Sequence, residues 1–422
     1  MRFRLFAVFA GSFLVIAGQS VRAAGPMVVD SELQSVSLTR LWEARLPLPA
    51  GDAVTKGYLL DDSLYVMTSG GIVFAVQPET GLIRWGEKLG ERGLLIDRPT
   101  HARTTEGNGP LLLPVAGTLY IVDRYTGQLE HRVQPPFPLT SPVLGWGQVL
   151  FAGGSEPQFH AWIRSERNPE SLGKLWTVAT SGATVVTPVF HGSGKILIAT
   201  EEGLVYSLGA ADKSLDWAYR VGGAVIADPF IDSSGVFVAS KDRSLYKLNV
   251  ARGFLLWRAR LPDPLTEGPL VAAQTVFQYC ERTGLVALDS GTGREKWRHE
   301  GARSFVTHTP QRDLLHTTDG RLLAVDHETG RVLASASIPA VLEVLPNLDE
   351  DTVFLIGSDG AVVSARGDGT PYLRRQQVLA ARERLNLPPG PRRTGDGNRT
   401  RSASGTEADD PDPFRSRRDE GP

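Results

Sequence analysis

The sequence is poor in cysteine, with Cys280 as the only one among 422 residues. A single thiol cannot form a disulfide within the chain, and it excludes the two-cysteine motif that attaches c-type haem. Cys280 ends an apolar run at a position where other segments of the chain carry Met67 or Ala199. We therefore expect a small buried side chain rather than a reactive thiol.

Long apolar runs and a strong net charge are also missing. The formal net charge is −2, which argues against a dedicated nucleic-acid binder. The one long apolar stretch, Leu5 to Ala17, follows Arg2 and precedes the small-residue pattern that ends at Ala23. This order predicts a signal peptide over residues 1–23, because the stretch is short for a retained membrane anchor, which is the alternative. No cysteine lies near the cleavage site, so we expect an exported protein, periplasmic or secreted, without a lipid anchor and without a transmembrane segment after cleavage.

Motifs of known enzyme classes are absent as well. The chain has no G-x-S-x-G elbow, no P-loop and no EF-hand loop. Its eight histidines are scattered, and no pair has a zinc-ligand spacing accompanied by a third ligand. His308 is expected on an innermost strand, where a lone histidine is usually structural. The sequence therefore predicts no catalytic, cofactor-binding or metal-ligating residues.

What the sequence does have is a repeat. The segment ALDSGTGREKW, Ala287 to Trp297, returns in altered copies along most of the chain. The last position of the motif is occupied by Trp42, Trp85, His131, Trp176, Trp217, Trp257, Trp297 and Ala334, at steps of 37 to 46 residues. A period in this range is typical of a solenoid or a propeller.

Each repeat has the pattern of four short strands. Two apolar runs flank a pair such as Gly70-Gly71, which predicts a hairpin because glycine tolerates the positive φ of a tight turn. A Thr-Gly turn then leads to the strand that carries the tryptophan, and a proline, as at Pro188 or Pro310, is expected to mark the start of the remaining strand. His131 is expected to act as a wedge between units in place of tryptophan.

Eight such hairpins predict an all-β, eight-bladed β-propeller of four-stranded antiparallel blades over residues 24–370. Trp42 has no hairpin before it, and the last hairpin has no tryptophan after it. The strand around Trp42 should therefore complete the final blade and close the ring. Seven blades remain open if one weak unit is irregular.

The pattern A-x-D-x-x-T-G-x-x-x-W resembles the tryptophan-docking repeat of the quinoprotein-like (PQQ-repeat) β-propellers. In architecture the resemblance is closest to the propeller lipoprotein of the outer-membrane β-barrel assembly machinery, over roughly Leu41 to Arg366. For the dehydrogenases of this superfamily, the resemblance implies pyrroloquinoline quinone held between a tryptophan and a disulfide of adjacent cysteines, with calcium and a catalytic aspartate. Because Cys280 is alone, we expect no such cofactor.

Three features outside the motif are candidates for binding. Residues 371–422 are rich in Arg, Pro and Gly and are expected to be disordered, with a short helix over residues 376–387. Polar residues next to prolines are candidates for a ring around the channel that binds an ion or a small polar ligand: Ser141, Thr187, Asp228 and Thr309. Surface links are expected over residues 101–109 and 163–175, and Trp146 is expected to be exposed as an anchor for a partner.

These observations favour an exported, non-enzymatic propeller that acts as a protein-interaction scaffold in the cell envelope, similar in role to the barrel-assembly propeller. One alternative is a quinone-dependent oxidoreductase with an atypical channel site. Another is a cell-wall or carbohydrate-binding module, suggested by the basic tail. The expected partners are envelope proteins and not nucleic acid, and the chain is expected to be a monomer.

Overall fold

The computed structural model describes residues 26–367, apart from residues 95, 106, 155, 166–170, 193, 310–311 and 349. The predicted signal peptide (residues 1–23), the predicted disordered tail (residues 371–422) and the expected helix over residues 376–387 lie outside the described residues. Within the described part of the chain, regular structure is β-strand apart from one short helix. The fold is therefore all-β, as the repeats predict.

After the first helix and strand, the strands follow in groups of four, each group being one unit. The first elements of the described residues are α1 (Asp30–Ser35) and β1 (Leu38–Arg45). Unit 1 comprises β2 (Val54–Leu60), β3 (Ser63–Thr68), β4 (Ile72–Val76) and β5 (Ile83–Lys88). Unit 2 comprises β6 (Thr100–Thr104), β7 (Gly107–Val115), β8 (Thr118–Val122) and β9 (Leu129–Val133). Unit 3 comprises β10 (Leu144–Trp146), β11 (Val149–Gly153), β12 (Gln158–Arg164) and β13 (Leu172–Ala179). Unit 4 comprises β14 (Val189–His191), β15 (Lys195–Ala199), β16 (Leu204–Gly209) and β17 (Leu215–Arg220).

The second half of the chain continues this pattern, but its last unit has only three consecutive strands. Unit 5 comprises β18 (Phe230–Asp232), β19 (Gly235–Ser240), β20 (Ser244–Leu248) and β21 (Leu255–Arg260). Unit 6 comprises β22 (Leu270–Ala272), β23 (Thr275–Cys280), β24 (Gly284–Asp289) and β25 (Glu295–His299). Unit 7 comprises β26 (Ala302–Thr309), β27 (Arg312–Thr317), β28 (Arg321–Val325) and β29 (Val332–Ser337). Unit 8 comprises β30 (Val341–Leu345), β31 (Thr352–Gly357) and β32 (Ala361–Gly367).

The strand missing from unit 8 is supplied by the start of the chain. β1 pairs antiparallel with β32, from Leu38 opposite Gly367 to Arg45 opposite Ala361, so the sheet order is β1-β32-β31-β30. This pairing is the closure expected from Trp42. At the resulting junction between units 8 and 1, a Cβ on Gly57 of β2 would lie 2.3 Å from Ile356 Cδ1 of β31. The backbone of unit 1 thus approaches unit 8 closely enough to require glycine.

Within each unit the strands are antiparallel and lie in chain order. Units 2 and 3 form one eight-stranded sheet, because β6 and β10 also pair in parallel at Arg103 and Trp146. With β1 counted in unit 8, the described residues form eight four-stranded units. Antiparallel order places the turns after the first and third strands at the same end of every unit, and we call this end the Thr-Gly face.

The cores of the fold lie between consecutive units. The cluster around Trp217, for example, joins Leu197 and Val205 of unit 4 to Val236 and Val238 of unit 5. Because each unit buries its faces against its neighbours, no unit has a complete core by itself.

The repeated tryptophans link each unit to the next by a hydrogen bond. The Trp297 indole Nε1 donates to the His327 carbonyl at 3.0 Å, across the junction of units 6 and 7. Equivalent bonds run from Trp42 to Pro78, Trp85 to Arg124, Trp176 to Ala210, Trp217 to Val250 and Trp257 to Ser290. The indole ring of Trp297 also covers the glycine of the Thr-Gly turn in unit 7. Gly330 has φ +67, and a Cβ there would lie 2.5 Å from Trp297 Cδ2. Packing between consecutive units therefore explains both the tryptophan and the glycine of the motif.

Two junctions lack this tryptophan. Unit 7 has Ala334 at the motif position, and α1 fills the junction to unit 8 instead, with Leu33 fully buried against Val306, Leu314 and Val344. Glu32 of α1 also accepts a hydrogen bond from the Ser337 backbone N–H of β29 at 2.6 Å. The helix thus acts as a substitute wedge, which the sequence analysis did not anticipate.

The other exception is the junction of units 2 and 3. His131, expected to be the wedge there, is half-buried on β9 opposite Ile121. The aromatic contacts belong to Phe137, His160 and Trp162, with ring centroids 4.1 to 5.3 Å apart. Trp162 is buried, as expected for a core residue.

The proline expectation holds for only some units. Pro99, Pro142, Pro188, Pro229 and Pro269 precede the first strands of units 2 to 6, but Pro310 lies outside the described residues. Pro346, the corresponding proline expected in unit 8, follows β30 and does not mark the start of a strand. The first strands β26, β30 and β2 have five to eight residues, against three in units 3 to 6. These longer strands begin earlier relative to the next turn, so they continue through the position that proline occupies before the shorter strands.

Removing the tail should leave the fold intact. β32 ends at Gly367, so deletion of residues 371–422 removes none of its strand pairs. We expect the shortened protein to express in soluble form with an unchanged midpoint of denaturant unfolding. Loss of soluble expression would show instead that the tail contributes to the fold.

Candidate functional site

Charged side chains on or just before the first strands of the units pair with one another, and in a β-propeller the innermost strands surround a central channel. On β30, the Glu343 carboxylate accepts a hydrogen bond from the Gly57 backbone N–H at 2.6 Å and contacts Lys56 Nζ at 2.6 Å. Tyr58 lies on the same strand as Lys56, and burial raises the pKa of its phenol, while the nearby Arg98 guanidinium lowers it. This cluster joins units 8 and 1 at the point of closure.

A second polar cluster spans the channel. Arg98, just before β6 of unit 2, forms an ion pair with Asp228, just before β18 of unit 5. Because these units are three positions apart in the ring, their contact lies across the channel. Asp228 also accepts hydrogen bonds from the Thr187 backbone N–H at 2.7 Å and hydroxyl at 2.9 Å, so units 2, 4 and 5 meet there.

A third cluster joins units 6 and 7. The Arg303 guanidinium on β26 donates two hydrogen bonds to the Glu267 carboxylate, both at 2.6 Å, and lies 4.2 Å from the centroid of the Tyr279 ring. The Gln278 side-chain amide donates to the Glu267 carbonyl at 2.9 Å. A bidentate pair of this kind fixes orientation as well as charge. The charges in these three clusters are thus engaged in contacts between units.

The four residues expected to ring the channel do not come together. Thr187 and Asp228 are bonded to each other, as described above. Ser141 is buried in unit 3, where its hydroxyl accepts a hydrogen bond from the Gly153 backbone N–H at 2.8 Å. Thr309 ends β26, at the opposite end of its strand from the Asp228 position, and donates to the Arg312 carbonyl. The prediction that these four residues surround the channel together is wrong. Thr187 and Asp228 precede their strands, whereas Thr309 is the last residue of its strand.

The residues present do not fit a quinone site of the dehydrogenase type. Cys280 is buried at the end of β23, and burial raises the pKa of its thiol to about 11. The motif tryptophans donate to the neighbouring unit, and the Arg98–Asp228 pair crosses the channel. A single thiol cannot form the disulfide against which a quinone of this kind would stack.

A buried tyrosine, a buried histidine and an exposed aspartate lie in line at the junction of units 1 and 2. His101 Nε2 lies 2.9 Å from the Tyr65 hydroxyl, and His101 Nδ1 lies 2.6 Å from Asp61 Oδ2. The hydrogen bond from His101 lowers the pKa of Asp61, and burial raises that of Tyr65. Since Tyr65 is fully buried, a substrate cannot reach its hydroxyl, and the arrangement serves packing.

Two predictions of exposed segments are also corrected. Residues 101–109 were expected to be a surface link, but they form most of β6 and the start of β7 around His101. Trp146 was expected to be exposed, yet it is only 7% exposed, on β10, and packs edge-on against Phe190 at 5.4 Å. The turn that its Gly-rich surroundings predict begins at Gly147, one residue later. Of the link expected over residues 163–175, both ends belong to β12 and β13, and residues 166–170 lie outside the described residues.

One group of side chains was missed entirely by the sequence analysis. His308 Nδ1 lies 2.7 Å from Asp313 Oδ1, and His327 Nδ1 lies 3.0 Å from Asp313 Oδ2. The sequence analysis expected His308 to be a lone histidine. It instead belongs to a cluster of two imidazoles and one fully buried carboxylate. Hairpin register was the available signal, because His308 and Asp313 flank the turn between β26 and β27 and pair directly.

Among the described residues, no helix combines the length and the apolar character needed to cross a bilayer.

Comparisons with known proteins agree with this architecture. The PQQ_2 family model, described as "Outer membrane protein assembly factor BamB", matches residues 165–260 and 233–369. The crystal structure of BamB from Moraxella catarrhalis superposes with a TM-score of 0.62 at 18% identity, covering 80% of this chain and 99% of that one. The computationally designed Ika8 protein gives a TM-score of 0.55 at 14% identity, covering 78% and 99%. No curated protein sequence matches the chain. The chain therefore has a β-propeller fold, and it resembles the PQQ-repeat propellers, BamB among them.

Proposed function

We propose that the protein is an exported, non-enzymatic scaffold that binds other proteins in the cell envelope. The observation that carries this proposal is the likeness, in repeat and in fold, to a protein described as an outer membrane protein assembly factor. The sequence resemblance and the predicted signal peptide favour the same location. A fold alone does not determine function, so the surfaces of the chain have to support it.

The channel clusters support a binding role over catalysis. Each of the following charged side chains has a partner of opposite charge in another unit: Lys56, Glu343, Arg98, Asp228 and Arg303. Paired groups stabilise the ring and are less available to polarise a substrate.

The outer strands of units 4 and 5 present apolar side chains to solvent. Leu215 is 62% exposed on β17, and Leu255 and Leu256 are 39% and 43% exposed on β21. Phe254, just before β21, is 49% exposed. A group of exposed apolar side chains is typical of a surface that contacts another protein. We propose these strands as the surface that binds a partner.

Site-specific photocrosslinking tests the scaffold directly. A photoreactive side chain at Leu255 should capture a defined envelope protein in cells, and the same group at Ile83 should not. Ile83 holds the equivalent position on the outer strand of unit 1 and is 37% exposed, so it is a matched control. Leu255→Glu should abolish the interaction without changing the unfolding midpoint. Equal capture at both positions, or none at either, would argue against this surface.

The alternatives predict different results. Saturable binding of pyrroloquinoline quinone with calcium, together with dye-linked oxidation of alcohols or sugars, would support the oxidoreductase and overturn the scaffold. Retention on purified wall polymer, lost when residues 371–422 are deleted, would support the wall-binding module.

A further inference from the structure

The cluster of His308, Asp313 and His327 lies on rigid elements of unit 7. His308 is on β26 and pairs directly with Asp313 on β27, and Asp313 in turn pairs with Val325 on β28. His327 follows β28 by two residues. All three therefore lie at the Thr-Gly face of unit 7.

His327 is held by its own turn and by the neighbouring unit 6. The Asp326 carboxylate accepts hydrogen bonds from the Thr329 backbone N–H at 2.8 Å and hydroxyl at 2.6 Å, which fixes the turn containing His327. The His327 carbonyl accepts the Trp297 indole N–H. The backbone of His327 is thus positioned independently of its imidazole.

We propose that His308, Asp313 and His327 bind a divalent transition-metal ion, of which Zn²⁺ is the best match. Two imidazole nitrogens and one carboxylate oxygen are a ligand set that zinc accepts, at bond lengths of about 2.0–2.2 Å. Tetrahedral bonds of that length separate ligand atoms by about 3.3–3.6 Å. The candidate atoms of the three residues lie within 4.8 Å of one another, so small side-chain adjustments bring them to this spacing.

The surroundings of His327 fit a metal ligand. If Nδ1 binds the ion, Nε2 carries the proton, and Nε2 lies 3.7 Å from Glu328 Oε1. A carboxylate beside the outer imidazole nitrogen orients a ligating histidine and increases its basicity. Lys296 Nζ holds the same Glu328 oxygen at 3.0 Å. The chain thus supplies an outer shell as well as three inner ligands.

The burial pattern indicates a site with one open position. Asp313 is fully buried, whereas the His308 and His327 side chains are 32% and 22% exposed. Three protein ligands leave the fourth place of a tetrahedral ion for water or another donor. Such an ion would tie β26, β27 and the turn after β28 together in unit 7, whose own outer strand lacks the motif tryptophan.

Titration calorimetry on the chelator-treated protein, purified without a histidine tag, tests the site with Zn²⁺ as the probe. We expect one bound ion per chain and a higher melting temperature in its presence, because a ligand that binds only the folded state stabilises it. Asp313→Asn and His308→Gln should each weaken binding at least about tenfold and remove the thermal shift. His131→Gln, a half-buried histidine on unit 2, is the matched control and should bind as the unaltered protein does.

A second probe identifies the ligands. Co²⁺ in a four-coordinate site should give visible absorption bands, and these should disappear in His308→Gln. If Asp313→Asn does not fold, the His308→Gln result decides, since that side chain is partly exposed. No saturable Zn²⁺ binding, or equal binding by the protein and by His308→Gln, would show that the cluster is only a hydrogen-bonded group.

Discussion

A chain that starts after Pro47 is expected to aggregate or to lose its cooperative unfolding transition. The truncation removes α1 and β1, and β32 then becomes an exposed strand edge. Unpaired N–H and C=O groups on such an edge invite pairing with other chains. The same change removes Leu33 and Trp42 from the cores on either side of unit 8. Burial of Trp42 alone corresponds to about 4–6 kcal/mol, from about 150–250 Å² at about 25 cal/mol per Å².

Two further chains separate the contributions of the helix and the strand. A chain starting at Pro26 keeps both elements and should behave as the unaltered protein does. A chain starting at Val36 loses only α1, so it should remain monomeric with reduced stability. Size-exclusion chromatography and denaturant unfolding provide the measurements. A monomeric chain beginning after Pro47 with an unaltered transition would contradict closure by β1.

Replacement of Trp297 by alanine is expected to destabilise the protein by about 3–5 kcal/mol, the usual loss for a large aromatic removed from a core. Trp297 is only 6% exposed, packs against Phe277 at 5.9 Å and covers Gly330. The substitution also leaves the His327 carbonyl without its indole donor. The unfolding midpoint in denaturant reports the change.

Two other substitutions show which part of Trp297 matters. Leu333→Ala, at a side chain that is 45% exposed, is the control and should change stability by less than about 1 kcal/mol. Trp297→Phe keeps most of the apolar area and loses the hydrogen bond, so its effect should be smaller than that of alanine. An unchanged midpoint for Trp297→Ala would show that docking does not hold units 6 and 7 together.

The repeat made most of the fold predictable, because its signals are local. A tight turn needs positive φ, and glycine supplies it at Gly71 and Gly293. The recurrence of Trp217, Trp257 and Trp297 at equal spacing then defines the unit. The position of Trp42 gave the closure, since a motif residue without its hairpin has to belong to another unit.

The features that were missed depend on contacts between distant segments. α1 is a six-residue helix whose place at the junction of units 7 and 8 follows from the absence of tryptophan at Ala334, not from its own sequence. Trp146 is buried because Phe190 of the next unit packs against it. His327 joins His308 and Asp313 only through strand register. Local patterns carry none of this information.

Hydrogen exchange of the amides in β1, Leu38–Arg45, tests the closed ring most directly. If β1 is the fourth strand of unit 8, its bonded amides should exchange as slowly as those of β15, Lys195–Ala199, with the free energy of global unfolding. Faster exchange typical of a frayed terminus, while β15 stays protected, would show that the ring is not closed by this strand.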